Sequence, residues 1–188
     1  QGGRLARGKA VVNLLEMSRE ENITAFIPVR DFEEDSYLMM ATRDGFVKKT
    51  HLSQYANPRR GGIIAILLRE GDMLVRAKLT SGSDDIIIAK RKGKAIRFNE
   101  RDVRKMARAT QGVKGVTLEA DDEVVEMVVV KRDSALLSVT KHGYGKRTRI
   151  SEFRNIRRGG KGVVCIPTAG RNGDLVTVKE VIDDDEVM

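Results

Sequence analysis

The segment with the clearest chemical character is a glycine-rich basic loop, Arg154–Gly162, which reads RNIRRGGKG. Its glycines allow the backbone to approach a ligand closely and to expose N–H groups, while Arg157, Arg158 and Lys161 supply positive charge. A loop of this kind is suited to binding phosphate groups. It is not a P-loop, because Lys161 is followed by Gly162 rather than by serine or threonine.

Basic charge is also concentrated in two longer stretches. Residues 90–114 hold ten lysines and arginines against two acidic residues, and residues 141–161 hold eight against one. The whole chain of 188 residues carries a formal net charge of +8, and its aromatic content is only 4%. This balance favours a polyanionic partner, and the few aromatic residues argue against a stacking platform for single strands.

These stretches supply the candidate residues for binding double-stranded DNA. Contacts of lysine and arginine with phosphates give affinity without reading sequence, and the chain has no recognition helix or zinc-finger pattern that would read bases. The candidates lie around predicted hairpin turns and in the loops that follow them: Arg43, Lys48, Lys49, Arg59, Arg60, Lys90, Arg91, Lys92, Lys94, Arg97, Lys114, Lys141, Lys146, Arg147, Arg149, Arg154, Arg157, Arg158, Gly159, Gly160, Lys161 and Gly162.

Residues that could carry catalysis or bind a metal are scarce. The single cysteine, Cys165, excludes an intrachain disulfide and a multi-thiolate zinc site, and it indicates a reducing compartment. His51 and His142 have no ligand-like neighbours in the sequence. We therefore expect no catalytic residue, no metal site and no cofactor in this chain. The longest apolar run is about six residues, so we expect no membrane partner.

An internal repeat must position the basic residues. Gly45, Gly93 and Gly143 follow similar apolar segments and are 48 and 50 residues apart. Each is followed by a basic loop, an apolar stretch and an acidic turn. We expect one repeat domain over residues 1–188, made of a half blade at 1–35, repeats at about 36–83, 84–132 and 133–182, and an acidic tail at 183–188.

The apolar stretches of each repeat are five to seven residues long and rich in Val, Ile and Leu, which is typical of strands. Only residues 99–108 look helical, with Asn99 as the cap. Four strands per repeat predict an all-β, propeller-like array of about four four-stranded blades, with a single β-sandwich as the alternative. In the first full repeat, the predicted strands cover 37–42, 46–50, 63–68 and 74–79.

Such an array places equivalent loops along one edge, so the basic loops should form a continuous positive track that could bend a duplex. The ends of the array are a separate question. Either the array is open, or Ala10–Leu15 and Leu175–Val181 share one blade and close it, which would leave fewer unpaired strand edges.

Five stretches of the sequence resemble the C-terminal domain of the DNA gyrase A family. DNA gyrase is a type IIA topoisomerase. The five stretches occur in the family's order over nearly the whole chain, and the resemblance implies a β-pinwheel of six blades, of which this chain holds an incomplete part. It further implies a basic rim that wraps duplex DNA, so that ATP-driven strand passage introduces negative supercoils. The stretches are 6–15 (ARGKAVVNLL), 40–50 (MATRDGFVKKT), 93–98 (GKAIRF), 112–116 (GVKGV) and 142–148 (HGYGKRT).

The resemblance also implies that this chain is a non-catalytic accessory domain. The rest of the enzyme would use ATP and Mg²⁺, the remainder of gyrase A together with gyrase B would be the partners, and the location would be the cytoplasm of a bacterium, at the nucleoid. The family's box begins with glutamine and lies in the first blade, whereas here Ile156 holds that position and the loop lies in the third full repeat. The related C-terminal domain of topoisomerase IV and a propeller-type protein-interaction module remain alternatives.

Overall fold

The computed structural model describes residues 8, 17–18, 20–32, 35–59 and 61–187, and within these ranges it contains strands and short 3-10 turns but no α-helix. The 3-10 turns are Leu52–Tyr55, Glu100–Asp102, Ile150–Glu152 and Gly170–Asn172. The strands are β1 (Tyr37–Thr42), β2 (Phe46–His51), β3 (Leu74–Thr80), β4 (Asp85–Lys90), β5 (Lys94–Asn99), β6 (Val113–Lys114), β7 (Val124–Val130), β8 (Ala135–Thr140), β9 (Gly145–Arg149), β10 (Val163–Val164) and β11 (Leu175–Val181).

Each sheet is built around a tight antiparallel hairpin, which is β1–β2 in the first, β4–β5 in the second and β8–β9 in the third. Gly45 and Gly93 stand at the first two turns with φ of 87° and 77°, a region that favours glycine. A Cβ atom on Gly93 would lie 2.1 Å from the carbonyl oxygen of Ile166. Packing of the following repeat therefore requires glycine at this turn as well.

A third strand joins the inner side of each hairpin. β3 pairs with β1, β7 with β4 and β11 with β8, in each case antiparallel. The three inner strands are neighbours, since β7 contacts both β3 and β11. The sheets thus radiate from a shared inner side as the blades of a propeller do, and the prediction of an all-β, propeller-like array is confirmed.

The outermost strand of a sheet comes from the next repeat along the chain. β6 pairs with β2, placing Val113 opposite Val47, and β10 pairs with β5, placing Val163 opposite Ala95. The first two sheets therefore have four strands each and mix two successive repeats, while the third has three strands among the described residues. This exchange connects each repeat to its neighbour through backbone hydrogen bonds.

The core lies between the sheets in two apolar clusters. Side chains alternate along a strand, and β4 uses both of its faces. Ile86 and Ile88 belong to the cluster shared with the first sheet, while Ile87 and Ala89 belong to the cluster shared with the third. All four side chains are fully buried. The middle blade is therefore apolar on both faces, which explains the continuous apolar run of its strand.

The predicted strand at 63–68 is wrong. The segment forms no strand, and Ile64, Leu67 and Leu68 are exposed. Its counterparts in the next two repeats, β6 and β10, pair with the hairpin of the preceding repeat. Among the described residues no hairpin stands in that position before 63–68, so the apolar run has no ladder to join.

The predicted helix at 99–108 is also wrong, although its cap is present. Asn99 accepts a hydrogen bond from the Arg101 N–H at 3.0 Å, but the helix is only the 3-10 turn Glu100–Asp102. Val103 returns to extended backbone, and Lys105 forms a parallel bridge with Lys49. Pairing with the neighbouring repeat thus replaces the helical hydrogen bonds.

The half blade predicted at 1–35 forms no strand over residues 20–32. Leu175–Val181 is β11 and pairs with β8 in the third sheet. Ala10–Leu15 lies outside the described residues, so closure of the array through these two segments stays a prediction.

Candidate nucleic-acid interface

Three of the candidate lysines lie in the interior. Lys48 and Lys90 have no exposed surface, and Lys49 is 4% exposed. The Lys49 ammonium donates to the main-chain oxygen of Glu100 at 2.7 Å, and the Lys90 ammonium lies 3.4 Å from Asp122 Oδ2. The expectation that these lysines lie on a phosphate-binding edge is corrected, because their ammonium groups are buried: Lys48 and Lys49 bond to the second repeat, and Lys90 bonds within its own repeat.

Lys48 makes stability depend on pH in a definite direction. Burial, with a smaller contribution from the Arg108 guanidinium, lowers the pKa of Lys48 from 10.5 to about 8. Between these values the unfolded chain binds more protons at this residue than the folded chain, so the free energy of unfolding gains a contribution that rises with pH. Lys48→Met is expected to lose this rise in urea denaturation between pH 8 and 10.5. An equal rise in both proteins would contradict the assignment.

The cations around the first two hairpin turns are paired with the acidic turns of their own repeats. Arg43 donates to the main-chain oxygen of Gly71, and Arg91 donates to that of Asp121 in the equivalent turn. Lys92 Nζ donates to the Ala120 oxygen at 2.5 Å. Lys94 behaves similarly, since its ammonium lies 2.5 Å from a carboxylate oxygen of Glu119. These side chains keep some exposed surface, but their charge is partly committed within the chain.

Arg97 joins the second repeat to the third. Its guanidinium contacts Asp85 Oδ2 at 2.7 and 2.9 Å and donates to the main-chain oxygen of Ile150 at 2.9 Å. Burial disfavours the charged form of Asp85, but hydrogen bonds from Asn99 and Arg97 outweigh it and hold the pKa of that carboxyl below its usual range. Arg97 therefore has a structural role at a repeat boundary, and its contact with a phosphate stays a prediction.

The glycine-rich loop is likewise tied to the preceding repeat. Arg158 donates to the main-chain oxygens of Asp102 and Lys114 at 2.9 and 2.8 Å. The Gly159 N–H donates to Gly115 O at 2.6 Å, and the Gly160 oxygen accepts from Thr117 N at 2.9 Å.

Gly162 is required by close packing rather than by a ligand. Its φ is 77°, and a Cβ atom there would lie 2.4 Å from Ala95 O. Arg158 and Gly159–Gly160 thus bond to the loops around β6, and Gly162 packs against β5, while contact of these residues with a ligand stays a prediction.

The remaining candidate cations are exposed and free. Among the described residues they make no hydrogen bond or ion pair with their side chains, and so their charge is available to a partner. Arg147 differs, because it pairs with Asp183 at 2.6 Å, and Arg60 lies outside the described residues. The free candidates are Arg59, Lys114, Lys141, Lys146, Arg149, Arg154, Arg157 and Lys161.

The candidates did not include two exposed cations of the loop before β6, Arg101 and Arg104, whose side chains make no hydrogen bond or ion pair in the described part of the chain. Only the count of basic residues over 90–114 included them. Arg104 holds the position in the second repeat that Arg154 holds in the third, 50 residues later.

Most of the free cations lie in the long loops that lead into the outermost strands. The loop before β6 carries Arg101 and Arg104, and the loop before β10 carries Arg154 and Arg157. Since β6 and β10 are the strands farthest from the inner side of their sheets, these loops lie at the outside of the array. We define the long-loop rim as the free cations of these loops, with Lys114 on β6 and Arg59 in the corresponding loop of the first repeat: Arg59, Arg101, Arg104, Lys114, Arg154, Arg157 and Lys161.

Other potential sites are weak. The described residues contain no group of three side chains that could hold a metal ion, and none of their helices is long and apolar enough to cross a membrane. Cys165 is fully buried, and burial raises the pKa of its thiol. Tyr144 is 42% exposed and lies under the Arg171 guanidinium, 5.3 Å from the ring centre. Tyr37 is buried.

Comparison with known proteins gives consistent matches. The family model described as the DNA gyrase C-terminal domain, beta-propeller, matches residues 36–81, 84–131 and 135–181. DNA gyrase A of Salmonella typhimurium is 44% identical over 188 residues, which is 100% of this chain and 21% of that protein. DNA gyrase A of Escherichia coli K12 is 43% identical over 183 residues, covering 97% and 21%. The chain thus spans about a fifth of the length of these relatives.

Solved structures have the same fold. The C-terminal domain of DNA topoisomerase IV matches with a TM-score of 0.87 and 28% identity, over 94% of this chain and 55% of that one. The DNA gyrase A C-terminal domain matches with a TM-score of 0.85 and 29% identity, over 96% and 60%. The β-pinwheel expected from the sequence is confirmed, and the chain belongs to the family of DNA gyrase C-terminal domains.

Proposed function

We propose that this chain binds duplex DNA along the long-loop rim and bends it, as a non-catalytic part of a bacterial DNA gyrase A. The observation that carries the proposal is the recurrence of free, exposed cations in the same outer loop of successive repeats. Phosphates are the ligands such cations suit, and phosphate contacts are independent of base sequence. The curated relatives named above are gyrase proteins, which favours gyrase over topoisomerase IV.

Bending follows from the arrangement of the blades. Successive sheets share an inner side, so their outer loops follow a curved path and a duplex that contacts several of them must curve as well. Bending 20–30 base pairs by 40–90° costs about 1–6 kcal/mol, which several charge-assisted phosphate contacts offset. In this proposal, the wrapped segment supports supercoiling by the whole enzyme, whose other parts supply the ATP- and Mg²⁺-dependent steps at the bacterial nucleoid.

Salt dependence tests the proposal directly. If the rim neutralises about six phosphates, the slope of log K against log salt for a short duplex should be about −5, since each contact contributes about −0.9. Fluorescence anisotropy with duplexes of two unrelated sequences should give the same slope and similar affinity. A slope shallower than about −2, or strong preference for one sequence, would contradict the proposal. Binding of an acidic protein in place of DNA would favour an interaction module.

A further inference from the structure

A polar cluster is buried on the first sheet near the boundary with the second repeat. Lys48 and Thr50 are two residues apart on β2 and so share one face. Tyr55 stands at the end of the following 3-10 turn, and Arg108 reaches the same place from the next repeat. We call these four side chains the Lys48 cluster. Neither Lys48 nor Thr50 has exposed surface.

The same positions in the second repeat are apolar. Counted from the hairpin glycine, Ile96 and Phe98 stand where the first repeat has a lysine and a threonine. Val103 stands at the end of the equivalent 3-10 turn. All three are buried in the apolar cluster between the first two sheets. In the second repeat the first sheet covers this face, whereas among the described residues no sheet covers the corresponding face of the first sheet, where the buried positions are polar.

The Lys48 cluster contains more donors than acceptors. Lys48 Nζ donates to the main-chain oxygens of Ala65, at 2.6 Å, and of Arg108. The hydroxyl oxygens of Thr50 and Tyr55 are buried without a well-formed hydrogen bond, although the two hydroxyls lie close enough to interact with each other. Burial raises the pKa of the Tyr55 hydroxyl, while the nearby Thr50 hydroxyl and Arg108 guanidinium oppose that shift.

The cluster also has no counter-charge within the part of the chain that the structure describes. Lys48 and Arg108 are close enough that the guanidinium disfavours the ammonium, and among the described residues no carboxylate bonds to either. A buried charge without a counter-charge is costly, and so are unpaired buried hydroxyls. We propose that the Lys48 cluster binds a small oxyanion such as inorganic phosphate, which accepts hydrogen bonds from the two hydroxyls and Arg108 and compensates both cations.

The size of the ligand follows from burial. Tyr55 and Arg108 keep some exposed surface, so the cluster reaches the surface at these two side chains and would admit only a small anion. A phosphate of duplex DNA would reach Lys48 only if the segment around Ala65 moved, because that carbonyl covers the ammonium. The inference does not rest on the proposed function, since binding of inorganic phosphate is measured first in the absence of DNA.

The first experiment measures thermal unfolding in sodium phosphate and in sodium chloride of matched ionic strength. Phosphate is expected to raise Tm by a few degrees and to saturate. Thr50→Val and Tyr55→Phe remove the hydroxyls with little change in volume and should each reduce the response. Thr148→Val is the matched control, because Thr148 also has a buried unpartnered hydroxyl at the same position of the third repeat, where Lys146 is exposed. It should keep the phosphate response.

A second measurement distinguishes a ligand from a structural role. NMR of the Lys48 Nζ group should show phosphate raising its pKa, since a bound anion favours the ammonium. If a saturating short duplex abolishes the phosphate response, the site takes a backbone phosphate. If the response persists, the site takes the free oxyanion. Equal Tm values in phosphate and chloride, with an unchanged Lys48 pKa, would overturn the proposal while leaving DNA binding by the rim intact.

Discussion

Replacing Arg154, Arg157 and Lys161 together by alanine is expected to weaken duplex DNA binding about 100-fold. Each of the three side chains is exposed and has no partner among the described residues, so each is free for a phosphate. Three charge-assisted contacts at about 1 kcal/mol each account for this loss. The salt slope should also become shallower by about 3. Anisotropy titrations at several salt concentrations measure both effects, and the free energy of unfolding should change by less than about 0.5 kcal/mol.

The matched control removes the same charge from the second hairpin turn. Arg91, Lys92 and Lys94 bond to the acidic turn of their own repeat, at Asp121, Ala120 and Glu119. Their replacement by alanine should weaken DNA binding only about tenfold, through the lower net charge. Equal losses in the two triple variants would show that only the amount of charge matters and that the long-loop rim is not a distinct surface.

The same pair of variants separates wrapping from binding. Relaxation of circular DNA by a topoisomerase in the presence of each protein reports the linking-number change per bound domain. The Arg154, Arg157 and Lys161 variant should lose more of this change than the hairpin control, because the loop before β10 lies at the outside of the array, where the proposed function requires it to direct the duplex. If both variants lose linking-number change in proportion to the charge removed, this loop contributes no more than any other part of the rim.

The sequence predicted the parts of the fold that depend on local chemistry. The spacing of Gly45 and Gly93 located two hairpin turns, because a positive φ is a property of a single residue. The apolar stretches located β1, β2 and β3 to within a residue or so. These signals are local, and so a single repeat is enough to see them.

The exchange of strands between repeats could not be predicted in the same way. Val113 and Val163 read as short apolar strands, but nothing in their composition says that their partner lies in the preceding repeat. The run at 63–68 reads in the same way and forms no strand. Such a segment forms a strand only if the hairpin of a preceding repeat offers it a free sheet edge. That edge exists only in the assembled array.

The candidate site shows the same limit. Composition located the basic stretches, and the long loops at 101–114 and 154–161 do carry free cations. The sequence could not distinguish these free cations from the paired Lys90 and Arg97. The partner of a lysine or arginine can lie in a distant turn, as Asp122 does for Lys90, or in another repeat, as Ile150 does for Arg97. Among the described residues the cations on strands are mostly structural, and the free ones mostly lie in irregular outer loops.

Lys90→Met is expected to cost about 3–5 kcal/mol in the free energy of unfolding. Lys90 and Asp122 form an ion pair in which neither side chain has exposed surface. Removing the lysine leaves a buried carboxylate without a counter-charge, and such a loss is among the largest that a single substitution causes. Urea denaturation at pH 7 measures it. The control is Lys94→Met, whose pair with Glu119 is about one-third exposed and should cost no more than about 1 kcal/mol.

The double variant Lys90→Met with Asp122→Asn shows whether the pair is the cause. The amide oxygen of asparagine can still accept from the Lys92 and Glu123 N–H groups that now bond to Asp122 Oδ1, at 3.0 Å each, but it carries no charge. The double variant should therefore be more stable than Lys90→Met alone, and the two substitutions should be strongly non-additive. If Lys90→Met cost no more than Lys94→Met, or if the double variant lost the sum of the single effects, Lys90 would not be a buried partner of Asp122. In that case Lys90 would be exposed and able to bind a phosphate. The Lys90→Met variant would then bind DNA more weakly, as the rim variants do.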